Sequence, residues 1–101
     1  MAASNSPTLL SSEKTVTAAG TAEALAAAQR VRGVTVRAKT GNTGQVYIGG
    51  SDVASTTNDG LDPGDVFLVP GGRNGWVDLA DIYVDVDNSG EGVEIYAGKG
   101  G

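Results

Sequence analysis

A chain of 101 residues with 40% apolar and 19% charged side chains has room for one domain with a single core. It contains no cysteine and no histidine, which excludes disulfides, thiolate or imidazole metal sites and any mechanism built on a His base or a Cys nucleophile. The formal charge of −5 is unevenly spread. Up to residue 50 the balance is +3, from Lys14, Arg30, Arg32, Arg37 and Lys39 against Glu13 and Glu23; from residue 51 onward it is −8. Such an acidic half disfavours nucleic acid and anionic membrane; its Asp residues read as turn formers and solvated strand faces, or as one side of contacts between copies, basic surface against acidic.

In chain order, residues 1–12 are small and polar, with Pro7 and two apolar anchors, Leu9 and Leu10, and are expected to form an extended arm. No basic start is followed by an apolar block, so the expectation is synthesis in the cytoplasm without a secretion signal. A single β domain is expected over 13–98 and a frayed tail over 99–101. "TVTAAG" reads as a strand, and "TAEALAAA" as a short strand or a helical turn. In "VRGVTVRAKT", Val34, Val36 and Ala38 alternate with Thr35, Arg37 and Lys39, giving one buried and one basic face.

"GNTGQVYIGG" reads as the turn and second strand of a hairpin, Val46 and Ile48 inward, Tyr47 outward, the glycines bounding the strand. A phosphate-binding loop would need a following helix, and none is signalled. After a polar loop, "LDPGD" carries Pro63 and Gly64 at the central positions of a type II turn. "VFLVP" is apolar on both faces, predicting a strand covered by its neighbours and ended by Pro70. "ADIYVDVD" alternates Ile82, Val84 and Val86 inward with Asp81, Tyr83, Asp85 and Asp87 outward; "VEIYA" sends Val93, Ile95 and Ala97 inward. Six to eight short strands spaced by turn signals predict an all-β fold, a small antiparallel sandwich or barrel.

Reactive constellations are weak. "DVDNSGEG" places Asp85, Asp87 and Ser89 like the start of a calcium loop with Gly90 sixth, but the twelfth position, where a bidentate Glu is required, is Tyr96. Asp78 and Asp81 show no spacing that implies an acid–base pair. No enzyme activity and no cofactor are expected. The outward parity of Tyr47, Tyr83 and Tyr96 marks them as candidates for a sugar-stacking or intersubunit face, against partial burial under loops. Trp76, in a glycine-rich loop, reads as a plug at the core edge or a contact residue.

The succession "VRGVTVRAKTGNTGQVYIGGSDVASTTNDGLDPGDVFLVP" and then "LADIYVDVDNSGEGVEIYA" resembles small β proteins among the structural components of tailed bacteriophages. The likeness spans about residues 31–97 and rests on its strands and turns. It implies a virion structural protein on the capsid surface, a head decoration (cement) protein that binds the major capsid protein as a homotrimer. The alternative it implies is a tail or fibre component contacting host glycan. Candidate interaction residues are Leu9, Leu10, Arg37, Lys39, Tyr47, Trp76, Tyr83 and Tyr96.

Overall fold

The computed structural model describes residues 9–72 and 75–98. The first eight residues of the expected arm, the tail over 99–101, Arg73 and Asn74 lie outside the described residues. The fold is all-β, with eight strands in two antiparallel sheets. In chain order they are β1 (Leu9–Thr15), β2 (Glu23–Ala24), β3 (Arg30–Ala38), β4 (Val46–Gly49), β5 (Val66–Val69), β6 (Val77–Asp78), β7 (Tyr83–Val86) and β8 (Gly92–Gly98). The larger sheet runs β1-β8-β3-β5, with β6 paired to the start of β3, and the smaller runs β2-β7-β4.

The inner faces of both sheets meet in one buried cluster. Val34, Val36, Ala38, Val93, Ile95 and Ala97 come from the larger sheet, Val46, Val84 and Val86 from the smaller. Val16, Leu25, Val31, Leu79 and Ile82 close its ends. Period-2 alternation assigns Val34, Val36, Ala38, Val84, Val86, Val93, Ile95 and Ala97 inward, because successive side chains leave a strand on opposite faces; Val31 is buried against that parity, below the register shift between Arg32 and Val34. Full burial of each Val, Leu or Ile is worth about 1.5–3 kcal/mol against leaving it in water, and the cluster is what holds the two sheets face to face.

Several expectations change. Residues 9–12, assigned to the arm, belong to β1, which pairs along its whole length with β8, from Leu9↔Gly98 to Thr15↔Gly92. The strand expected over 15–20 is instead the exit of β1 and a loop, because Val16 N bonds Glu91 O (2.9 Å) and Gly20 N caps Asp85 Oδ1 (2.9 Å). The 21–28 segment contributes only the two-residue β2, paired with β7, followed by bends. The 41–45 turn is no hairpin: β3 and β4 lie in different sheets, and Gly41, Gly44 and Gly49 all keep ordinary φ. Gly44 is needed for close approach, since a Cβ there would come within 2.7 Å of Asp87 Cβ.

The 62–65 turn is as expected. Asp65 N bonds Asp62 O at 2.9 Å, with Pro63 in the first central position and Gly64 in the second at φ +90°. The same glycine donates its N–H to Ala38 O (2.9 Å) while Ala38 N donates to Asp65 O (2.9 Å), the pattern of a glycine-led bulge that steers the chain into β5. β5 itself is not covered. It is an outer strand, and Val66, Phe67 and Leu68 are all exposed.

Candidate interaction face

The strand registers set the outward face of the larger sheet in rows. One row crosses the sheet as Leu68, Thr35, Tyr96 and Ser11; the next as Val66, Arg37, Glu94 and Glu13. A register shift lies beyond the first row, where Arg32 pairs with Gly98 and Val34 with Ala97. Leu9, Thr35, Leu68, Pro70, Tyr96 and Gly98 there line an open groove of about 620 Å³. One end of this face is therefore mainly apolar, with Arg32 also lining the groove. The other is ionic: Arg37 lies 3.7 Å from Glu94, and Lys39 reaches from beyond β3 to bond Glu13. The lysine hydrogen bond and its charge hold the Glu13 carboxyl below the usual carboxylate range.

All five exposed large apolar residues among those described belong to this sheet: Leu9 (70% exposed), Leu68 (69%), Val66 (52%), Phe67 (40%) and Tyr96 (36%). Leu9, Leu68 and Tyr96 share the groove, and apolar surface of this kind marks contact sites more often than chance exposure does, while Phe67, opposite the core residue Val36, lies on the other face of β5. Of the sequence candidates, Leu9, Arg37, Lys39 and Tyr96 meet at this face. Leu10 sits on the inner side of β1, half-buried against the core.

Tyr47 and Tyr83 do not join them. Both stand on the smaller sheet, on the opposite side of the molecule, where Tyr47 faces Asp85 across the strand pair β4–β7. Tyr47, expected outward, is 5% exposed, and its hydroxyl donates to Asp87 Oδ1 at 2.8 Å. Burial, then the hydrogen bond and charge of Asp87, raise its pKa above the ordinary tyrosine value. The loop through Gly60 packs on its ring, and Tyr83 is half-buried.

Asp85, also expected outward, is 2% exposed, its Oδ1 accepting from Gly20 N and Val86 N. Asp87 accepts from Gln45 N (2.9 Å) and Tyr47. The two carboxylates of the calcium-like motif thus turn to different N–H and O–H donors. Among the described residues no group of three or more carboxylates converges on one point.

Trp76 is half-buried at the end of β3, with the guanidinium of Arg32 4.3 Å from its ring centre and that of Arg30 5.3 Å away. Cation–π attraction of this sort fixes a loop more than it offers a free platform. At the opposite end of β3, Glu91 gathers the 43–44 turn, accepting from Thr43 N (2.8 Å), Thr43 Oγ1 (2.8 Å) and Gly44 N (3.1 Å). Those donors, the Thr43 amide first, hold its carboxyl below the usual range despite partial desolvation.

The residues that sequence reasoning missed are Val66, Phe67, Leu68 and Pro70. A four-residue apolar run closed by proline is a signal for an outer strand, since proline within sheets is confined to edges and ends. Comparison with family models, with curated proteins and with solved structures returns no match, so the functional reading stands on the fold, the face and the motif resemblance.

Proposed function

We propose that this chain is a non-enzymatic virion structural protein, a head decoration protein that binds the outer surface of the major capsid protein as a homotrimer and stiffens the shell. The observation that carries this reading is the concentration of exposed large apolar side chains on one sheet, with no other large apolar residue as exposed among those described. A protein that acts by gripping a large partner needs such a surface and no reactive centre. The resemblance of residues 31–97 to small β components of tailed phages supports the choice of partner. The glycan-binding tail or fibre reading draws less support, because Tyr47 and Tyr83 are on the other sheet from Tyr96 and largely covered.

The test is occupancy on purified capsids lacking this protein. Wild-type chain is expected to bind at saturable, symmetry-related sites, and Tyr96→Ser, in the middle of the face, to lower occupancy while leaving the melting temperature nearly unchanged. Failure of the wild type to bind capsids, with binding on a glycan array, would replace this reading by the fibre one.

A further inference from the structure

Four of the five exposed large apolar residues lie on the two outer strands of the larger sheet: Leu9 on β1, and Val66, Phe67 and Leu68 on β5. Among the described residues no strand pairs with the far side of either. Natural sheets blunt such edges with charge, proline or a covering loop; an apolar outer strand left open is a template for another strand.

The printed hydrogen bonds fix which backbone groups face outward. Ala38 N donates to Asp65 O, so alternation along the antiparallel pair turns Phe67 and Val69 toward β3 and leaves the N–H and C=O of Val66 and Leu68 on the open side. Val16 N donates to Glu91 O, which turns Leu10, Ser12 and Lys14 toward β8 and leaves Leu9, Ser11 and Glu13 open. At both edges the open residues are those whose side chains stand on the outward face. The two strands also run in opposite directions across the sheet, through three antiparallel pairings. The edges are therefore complementary, β5 of one copy to β1 of the next.

We infer that a second copy of this chain adds its β1 to the β5 edge, hydrogen-bonding Leu68 to the copy's Leu9 and Val66 to its Ser11, with Phe67 opposite its Leu10. This register covers all four exposed apolar residues of the two edges. A shift of two residues one way sets Leu68 against Pro7, and the other way sets Leu9 against Pro70; neither proline has an N–H to give. Charge does not choose the register: Asp65 comes diagonal to Lys14 of the copy, and Asp62 diagonal to its Glu13. The contact is heterologous, so repeated copies close into a ring when the rotation permits. It rests on the self-assembling part of the proposal above and deepens it, and its test needs no capsid.

The full chain is cysteine-free, so paired thiols report the contact directly. Hydrogen-bonded antiparallel pairs hold Cα atoms about 5.5 Å apart, within the span a disulfide bridges. Oxidised L9C/L68C is expected to form covalent closed oligomers on non-reducing gels, and neither single variant to do so. In light scattering, L9K or L68K alone is expected to give monomer with an unchanged circular dichroism spectrum, and L9K/L68E to recover the oligomer. A monomeric wild type at high concentration overturns the inference, as does an L9C/L68C variant that stays uncrosslinked. A dimer that survives L9K but not L68K shows β5 pairing with itself and rejects this register. Monomer that still coats capsids would sink this contact alone and leave the capsid reading standing.

Discussion

Tyr47 illustrates how one side chain ties two loops to a sheet. Its ring is buried under the 50–60 loop and its hydroxyl bonds Asp87, which in turn receives Gln45 N. Removing the hydroxyl in Tyr47→Phe leaves the ring packing and deletes a hydrogen bond to a charged group, with an expected cost of about 1.5 kcal/mol in urea unfolding. The pH dependence has a definite sign. A tyrosine whose folded pKa is raised contributes stability in full below its ordinary pKa of about 10, and loses it as pH climbs through the folded value. Wild type is thus expected to lose stability on the alkaline side, and Tyr47→Phe to lack that part of the loss. Glu91 works by accepting from three donors of the 43–44 turn, so Glu91→Ala is expected to lower the melting temperature, with Glu91→Gln intermediate because one acceptor oxygen remains.

Among the elements, β1 is the least apolar strand and depends most on its partner. Its seven residues, LLSSEKT, bury none of their side chains fully, and only Leu10 and Lys14 are half-buried. What holds it is the continuous ladder to β8, with the ion pairs Lys14–Glu23 (2.8 Å) and Lys39–Glu13 as lesser ties. That ladder requires Gly92: a Cβ there would lie 1.9 Å from Lys14 O. Because the obstacle is backbone, Gly92→Ala is expected to push β1 off β8, costing about 2 kcal/mol or more, read as lower urea stability and faster amide exchange in residues 9–15. The buried Asn42 lies at the same junction, its side chain donating to Gly92 O (2.8 Å) and accepting from Gly92 N (3.3 Å).

For the molecule as a whole, the carboxylates with lowered pKa values share one consequence. Glu13, Glu23 and Glu91 are each held low, Glu13 and Glu23 chiefly by lysine hydrogen bonds and Glu91 by backbone N–H groups. A group whose folded pKa lies below its unfolded value contributes stability above the unfolded pKa, about 4.3 for Glu, and loses it as pH falls through the folded value. The melting temperature is therefore expected to fall as pH drops from about 5 toward 3, where these groups titrate. Glu13 and Glu23 both anchor β1, so acid is expected to loosen its exchange protection before that of β3 and β7. If the edge pairing inferred above operates, that loosening also dissolves the oligomer, since β1 is one half of the contact.

Periodicity by itself was enough to determine the all-β class, the inward sets of β3, β7 and β8, and the 62–65 turn. In each of these one face is wholly core, or a proline and a glycine demand a specific backbone, so local pattern and final environment coincide. Edge positions were a different matter. β1 shows no alternation because neither of its faces is buried deeply, and VFLV reads as interior when its apolar run is weighed above the proline that closes it. Tyr47 and Asp85 follow the outward parity of their strands, yet are buried because the loop after β4 folds back over Tyr47 and the distant 17–20 loop meets Asp85. Strand order, and what covers each sheet, are decided only when remote segments meet. The exposed apolar side chains on which the functional reading depends are therefore a property of the tertiary structure, which sets a long, mostly polar strand beginning at Leu9 and a short apolar one at opposite margins of a single sheet.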